Sequence, residues 1–187
     1  MDAYTHGRFQ PFHKGHLKFV LYLLGKYDIL YIGISNPLRK IPAGFEGFSE
    51  KLKESLEHAR DPRSNPFNYF EREQIILDSL REEGVDLSRV KILPHFAIYE
   101  DSNWFELMPP KESTVIAIPA KDEHHFEKIR GYEKVGYKVE IIPQMSKDIS
   151  GSRVRESIYA GTEEWKEIVP KGAIPLIEKW IENGKSP

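Results

Sequence analysis

Two histidines spaced three residues apart follow the first apolar run of the chain, within the segment Gly7-Arg8-Phe9-Gln10-Pro11-Phe12-His13-Lys14-Gly15-His16. At a helix start, the His13 and His16 imidazoles could donate hydrogen bonds to phosphate oxygens beside the positive end of the helix dipole. Gly15 would let a phosphate approach the free backbone N–H groups, and Arg8 is a candidate phosphate clamp. The alternative is that the two histidines are surface caps or part of a metal site.

A second polar segment, Ile149 to Arg155, begins a later helix and also offers groups that can bind phosphate at a helix start. Ser150, Ser152 and the helix-start N–H groups could receive a polyphosphate, and the planar guanidinium of Arg155 could reach the same oxygens. Ser-Gly-Ser before a helix is also common as an ordinary helix cap. The segment therefore indicates a phosphate site only in combination with the first segment. Together the two segments predict a phosphate chain held between two helix starts.

Short apolar runs alternate with helical patterns along the chain, which is typical of βαβ units on a parallel sheet. The first helix carries Leu17, Val20, Leu21 and Leu24 on one face, and Asn68 with Glu71 resembles a capping box. We expect an α/β, Rossmann-like, doubly wound five-stranded parallel sheet with C-terminal helices. The expected strands are residues 3–9, 29–34, 90–93, 114–118 and 139–142, and the expected later helices are 103–108, 122–135, 152–159, 163–168 and 174–181.

The 187 residues are expected to form a single domain, 1–187, because this length can bury a core without disulfides or structural metal. The apolar pattern weakens between Ser35 and Asn65, where several prolines and glycines surround a mostly polar helical stretch at 49–59. We interpret residues 36–65 as an inserted loop or lid.

The amino-acid composition excludes several classes of site and partner. The chain has no cysteine, which leaves no basis for a disulfide framework, a zinc ribbon or a thiol nucleophile. A formal charge of −2 argues against a broad basic surface for nucleic acid and favours small anions as partners. No secretory signal or membrane-spanning apolar stretch is recognisable, so a cytoplasmic protein without a membrane partner is expected.

Both phosphate segments resemble the signatures of the His-x-Gly-His nucleotidylyltransferase superfamily, whose second signature, Ile-Ser-x-Thr/Ser-x-x-Arg, matches residues 149–155. Within that superfamily the chain is most similar to archaeal nicotinamide mononucleotide (NMN) adenylyltransferases. These share Gly-Arg-Phe-Gln-Pro-x-His-x-Gly-His, Asn-Pro-Phe before a helix carrying Glu-Arg, and Asn-x-Trp or a similar segment after the third strand. Here the matching residues are 7–16, 65–67 with 71–72, and 103–104.

The resemblance implies that the enzyme converts ATP and NMN to NAD and pyrophosphate by direct in-line attack on the α-phosphate. It implies Mg²⁺ bound through the ATP phosphates, with no direct metal ligand from the chain. Such chemistry depends on positioning and charge neutralisation more than on acid or base. The implied catalytic residues are His13, His16 and Arg155, and the implied nucleotide- or phosphate-binding residues are Arg8, Phe9, Gly15, Ser150, Ser152 and Lys14.

The resemblance places the acceptor against Trp104, Arg72, Asp101 and Asn103. A cationic pyridinium could stack on the Trp104 indole, the alternative being a core tryptophan. Arg72 could reach the substrate phosphate or be a solvated helix residue beside Glu73. Asp101 could orient the amide or ribose of the substrate, or cap the following helix.

Three departures from the family pattern leave the acceptor open. Ser35-Asn36-Pro37 replaces a Ser-Ala-x-x-Ser-His stretch, residues 118–122 replace a Gly-Asn-Pro-like loop, and Glu156-Ser157 replaces a more basic run. One alternative is therefore a related adenylyl- or cytidylyltransferase that acts on another phosphorylated small molecule. A second, outside the enzymes, is a nucleotide-binding regulatory module. The sequence also allows a homo-oligomer without specifying one.

Overall fold

Five of the apolar runs form strands: β1 Asp2–Gly7, β2 Leu30–Ser35, β3 Val90–His95, β4 Thr114–Pro119 and β5 Lys138–Ile142. They pair in parallel in the order β3-β2-β1-β4-β5. The computed structural model describes residues 1–36, 61–95, 106–119, 123–143, 145–146 and 148–184, without the side chains of 123–128. Strand order reverses between β1 and β4, and ligands bind beyond the carboxyl ends of the strands at such a reversal.

The described helices are α1 Lys14–Lys26, α2 Tyr69–Glu82, α3 Glu123–Lys134, α4 Gly151–Tyr159, α5 Trp165–Ile168 and α6 Ile174–Glu182. Short 3-10 turns lie at Leu87–Arg89 and Lys171–Ala173. The predicted capping box of α2 is confirmed, since Asn68 and Glu71 each accept the other's backbone N–H. Within the described ranges, no helix has both the length and the hydropathy needed to cross a membrane.

The predicted doubly wound sheet with C-terminal helices is confirmed, and the predicted end of the first strand is wrong. β1 stops at Gly7, because Phe9 adopts a φ of 50° that turns the chain away from an extended course. On α1 the fully buried position is Leu23, and Leu21 is half-buried. Residues 37–60 and 96–105 lie outside the described residues, and with them the predicted polar helix, most of the lid and the first half of the 103–108 helix.

Apolar side chains fill both faces of the sheet. The larger cluster combines Leu30, Ile32 and Ile34 of β2 with α1, α2 and the C-terminal helices. The smaller cluster, on the opposite face, contains Tyr4, Ile116, Ile118, Ile129, Tyr132 and Tyr137. Strands buried on both faces are the reason that the runs read as continuously apolar. The sheet is thus a rigid support whose carboxyl edge carries the polar segments.

Lys26, Tyr27 and Glu140 form a hydrogen-bonded group that ties the end of α1 to β5. Burial and the bond to Glu140 raise the pKa of Tyr27 to about 12. Bonds from Lys26 and Tyr27 lower the pKa of Glu140. Because the folded state holds the Tyr27 proton more tightly, this contribution to stability is complete below the ordinary pKa of 10.0 and is lost as the pH rises to about 12.

The free energy of unfolding should fall in the wild type when the pH is raised from about 9 to about 11.5. We expect this fall to be about 1–2 kcal/mol smaller in Tyr27→Phe. Thermal unfolding followed by circular dichroism at the two pH values measures it. Tyr22→Phe, at a 42% exposed position of α1, is the matched control and should follow the wild type. Equal alkaline losses in wild type and Tyr27→Phe would contradict the assigned shift.

Candidate functional site

The two histidines of the first segment form a reciprocal cap at the start of α1. His13 is the N-cap residue: its Nδ1 accepts the backbone N–H of His16, and the His16 Nδ1 accepts the backbone N–H of His13, each at 3.3 Å. A ring nitrogen that accepts a hydrogen bond carries no proton, so in the neutral rings the proton sits on Nε2. The capping role therefore fixes the tautomer whose Nε2–H could donate to phosphate, and it does not compete with that role.

Aromatic packing holds the two imidazoles in place. Their rings stack with centroids 3.6 Å apart, and His16 also packs edge-on against Phe9 at 5.0 Å and face-on against Phe12 at 5.5 Å. A Cβ on Gly15 would lie 3.1 Å from the His13 ring and 3.3 Å from Ser146, so a side chain there would crowd this stack. Phe9 therefore supports His16 sterically, and Gly15 leaves room beside His13.

The second segment begins α4 next to the first. Ser150 is the N-cap residue and accepts the backbone N–H of Arg153, which is the ordinary capping role. Arg155, 9% exposed, donates from Nη1 to the Gln10 carbonyl at 2.6 Å and from Nη2 to the Ser152 hydroxyl at 3.1 Å. Because Gln10 lies between Phe9 and the His13 cap, the two helix starts meet at the carboxyl edge of β1.

The backbones of the two segments approach very closely. A Cβ on Gly151 would lie 2.8 Å from the Gln10 carbonyl oxygen, a distance that real Cβ atoms essentially never show. Gln10 is itself fixed, since its side chain donates to the Phe67 carbonyl at 2.8 Å and accepts the Phe67 N–H at 3.0 Å. One residue thus joins the turn after β1 to α4 and to the segment before α2.

The guanidinium groups of Arg8 and Arg155 make this junction electropositive. Burial lowers the pKa of Arg155, and repulsion from the Arg8 cation lowers it further, whereas Tyr159, Glu156 and Asp61 act in the opposite direction. Arg8 is an exposed residue, yet the surrounding protein desolvates its guanidinium enough to lower its pKa as well. Two crowded cations that keep their charge favour an anionic ligand.

Arg72 has a structural setting that neither predicted role describes. The residue is 2% exposed, so the solvated alternative is wrong. It donates to the carbonyl oxygens of Arg8, Ser35 and Asn36 at 2.9, 2.7 and 2.8 Å, and through Nε to that of Asn68. These bonds join the chain segments that leave β1 and β2. Binding of Arg72 to acceptor phosphate stays a prediction, whereas the observed contacts make it a positioning residue.

We expect Arg72→Met to lower the free energy of unfolding by about 2–4 kcal/mol, because several buried carbonyls lose their donor at once. Thermal unfolding compared with wild type measures this loss. Arg81→Met is the matched control on the same helix, where the arginine is 61% exposed and pairs with Asp78. That control should change stability by less than about 1 kcal/mol. Similar losses in both variants would contradict the role given to Arg72.

Other predicted site residues lie apart or outside the described residues. The Lys14 ammonium donates to the Glu167 carbonyl at 2.7 Å, at the end of α5, so the first turn of α1 is tied to the C-terminal helices. Trp104, Asp101 and Asn103 lie outside the described residues. Across the described ranges, no three or more His, Asp or Glu side chains are arranged to hold a metal ion.

Sequence reasoning missed three polar residues near this edge. Gln10 appears in the sequence only as one residue of the first segment, and its bonds to Phe67 and Arg155 link positions that are 57 and 145 residues away. His6 and His95, at the ends of β1 and β3, have stacked rings with centroids 4.0 Å apart. A histidine inside an otherwise apolar strand was the available signal for both.

Comparison with known proteins agrees with this geometry. A family model described as cytidylyltransferase-like matches residues 4–157, which include both phosphate segments. Nicotinamide-nucleotide adenylyltransferase 1 of Sulfolobus acidocaldarius is 31% identical over 178 residues, covering 95% of this chain and 89% of the relative. Phosphonoformate cytidylyltransferase of Streptomyces viridochromogenes is 26% identical over 175 residues, covering 93% of this chain and 89% of the relative.

A solved structure shares the fold. It is the bifunctional NMN adenylyltransferase/ADP ribose pyrophosphatase from Francisella tularensis complexed with AMP and a manganese ion, with a TM-score of 0.66 and 19% identity. The match covers 96% of this chain and 48% of that protein, so this chain spans about half of its length. At this identity the likeness extends to the fold alone.

Proposed function

The chain belongs to the cytidylyltransferase-like family, and from that premise we propose that it transfers the AMP group of ATP to NMN, forming NAD and pyrophosphate. The observation that carries the proposal is the junction of two helix starts through the Gln10 carbonyl, with Arg155 at its centre. Backbone N–H groups, imidazoles and guanidinium groups converge there, and all of them suit phosphate oxygens.

The reaction needs one bond to form and one to break. An oxygen of the NMN phosphate attacks the α-phosphorus of ATP, and the bond from that phosphorus to the oxygen bridging the α- and β-phosphates breaks. The bridging oxygen leaves with its electron pair as part of pyrophosphate. No covalent enzyme intermediate is required, so the protein contributes positioning and stabilisation of the charge that develops on the phosphates.

The contacts support a division of roles among the residues. His13 and His16, with Nδ1 held by the backbone, present Nε2–H donors to the triphosphate. Arg155 and Arg8 offset charge on the transferred phosphate and on pyrophosphate. Ser152, which already accepts from Arg155, orients the same oxygens, and Ser150 adds its hydroxyl at the N-cap.

Magnesium belongs to this proposal as part of the nucleotide complex. The donors at the junction are N–H, guanidinium and hydroxyl groups, a set that fits phosphate oxygens better than a bare cation. Mg²⁺ would therefore be held by the ATP phosphates and not by side chains of this chain. When bound, it neutralises charge on the departing pyrophosphate.

A second candidate is transfer of CMP from CTP to a phosphonate or another phosphorylated acceptor. Similarity to a phosphonoformate cytidylyltransferase over 93% of the chain favours it. The sequence Ile118-Pro119-Ala120-Lys121-Asp122 favours it too, because the Gly-Asn-Pro-like loop of the adenylyltransferases is replaced there. The two candidates share one phosphate site and differ in the base and the acceptor.

Pyrophosphate release with ATP or CTP, each paired with NMN, nicotinate mononucleotide or phosphonoformate, separates the candidates. We expect ATP with NMN to give the highest kcat/KM and a product with the mass of NAD. Faster release with CTP and phosphonoformate would favour the second candidate. If no pair released pyrophosphate, both would fail and a nucleotide-binding regulatory module would replace them.

A further inference from the structure

Two tyrosines of the smaller apolar cluster, on the face of the sheet opposite α1, lie beside two histidines. Tyr4 and His6 come from β1, His95 from β3, and Tyr132 from α3. Buried positions of parallel strands normally carry Val, Ile or Leu. Two imidazoles there carry a desolvation cost, and polar groups that break the local pattern are commonest at functional sites.

The absence of a side chain at Gly33 brings the imidazoles together. His6 pairs with Gly33 of β2, and His95 pairs with Ser35 two residues further along the same strand. With no side chain on β2 between them, the His6 and His95 rings stack at 4.0 Å with an interplanar angle of 22°. A Cβ on Gly33 would lie 2.2 Å from the Tyr4 hydroxyl and 3.0 Å from the His6 Cβ.

Polar contacts from Tyr4 and Ser35 orient the two imidazole rings. The Tyr4 hydroxyl and the His95 Nδ1 are 2.7 Å apart, and both residues are 1% exposed. The Ser35 hydroxyl lies 3.5 Å from the His6 Nδ1, and Arg72 holds the Ser35 carbonyl. His6 is the only one of the four rings that is partly exposed. Three buried rings thus support one partly exposed imidazole, that of His6.

His6 lies near the carboxyl end of β1, just before the turn that carries the residues proposed to hold the triphosphate. His6 is three positions before Phe9, so their Cα atoms are within about 10 Å of each other. Side chains alternate along β1, and His6 points away from the face on which α1 presents His13 and His16. A mononucleotide whose phosphate meets ATP at the helix starts could extend its base toward β2 and β3.

The geometry points to His6 as an acceptor-binding residue that donates a ring N–H to the carbonyl or carboxylate oxygen on the acceptor's heterocycle, with His95 and Tyr4 as its positioning residues. This inference rests on the proposed function and adds the recognition of the acceptor's far end. A hydrogen-bond donor on a supported ring discriminates an acceptor that carries this oxygen from one that lacks it.

Two substitutions at position 6 distinguish the loss of the hydrogen-bond donor from the loss of the aromatic ring. His6→Phe keeps an aromatic ring and loses the donor, whereas His6→Gln loses the ring and keeps a donor. We expect His6→Phe to raise the KM for NMN about ten-fold, and His6→Gln to raise it less than about three-fold. The KM for ATP should stay within about two-fold of wild type in both, because one lost hydrogen bond acts only on its own substrate. Tyr22→Phe, on the exposed face of α1, is the kinetic control.

Calorimetric titration of wild type and both variants with NMN alone keeps the inference separate from the proposed function. If the wild type makes no NAD but binds NMN, and His6→Phe weakens that binding about ten-fold while His6→Gln does not, the proposed function fails and the inference stands. An unchanged KM for NMN in His6→Phe would overturn the inference. Equal losses in the two variants, parallel rises in both KM values, or a wild type that does not bind NMN would also overturn it.

Discussion

Replacing His16 with glutamine should lower kcat by about 100- to 1000-fold while the KM for ATP changes by less than about three-fold. The imidazole Nε2–H is expected to act on charge that grows in the transition state, so its loss affects turnover more than ground-state binding. Glutamine is a favoured residue at this third helical position and can replace the bond to the His13 N–H. Steady-state pyrophosphate release at saturating acceptor measures the effect.

The alanine variant distinguishes chemistry from helix capping. His16→Ala should show the same loss of turnover as His16→Gln, together with a loss of about 0.5–2 kcal/mol in stability because the cap is gone. Wild-type turnover in His16→Gln would remove His16 from the mechanism. If only His16→Ala lost turnover, and the loss equalled its unfolded fraction, the role of His16 would be helix capping alone.

Replacing Arg155 with methionine should reduce kcat/KM by about 1000-fold, and replacing it with lysine by about 100-fold. Its planar group bridges the Gln10 carbonyl and the Ser152 hydroxyl, and a lysine ammonium cannot span both while it contacts phosphate. The same pyrophosphate assay applies, with kcat/KM determined for ATP. Melting temperatures are measured in parallel because the side chain is 9% exposed.

Arg153→Lys is the matched control for Arg155. Arg153 lies two residues earlier on α4, and its guanidinium donates to the Asp148 carbonyl at 3.3 Å. Its replacement should change kcat/KM by less than about three-fold, since exposed contacts contribute little. Comparable losses at the two positions would mean that general positive charge, and not the bridging geometry, is what the site requires. Combining His16→Gln with Arg155→Lys should give less than the product of the two losses, as expected for residues that serve one phosphate chain.

Much of the site can be predicted from the sequence because helix starts are determined by residues that are close together in the chain. A His-x-Gly-His segment between an apolar run and an amphipathic pattern predicts a helix start, and His13 does cap α1. The same reasoning predicts Ser150 at the start of α4 and the Asn68–Glu71 box of α2. Each depends on residues within one helical turn, so spacing alone is sufficient.

The remaining features depend on contacts that spacing does not encode. The bond from Arg155 to the Gln10 carbonyl requires the sheet order that places α4 beside β1. Arg72 reads as a surface helix residue beside Glu73, and only the meeting of the segments after β1 and β2 shows that it is buried. The stack of His6 on His95 requires knowledge of strand register, which a single sequence specifies poorly.

The way Arg155 is held has a consequence for the enzyme before substrate arrives. Main-chain and hydroxyl oxygens orient its guanidinium, and among the described residues no carboxylate forms an ion pair with it or with Arg8. The Arg155 guanidinium is therefore fixed in direction, and on the proposed function its charge should attract nucleotide through solution over the Debye length of about 8 Å at physiological salt. Capture of ATP should slow as ionic strength rises, and sulfate or phosphate buffers should compete for the same cleft.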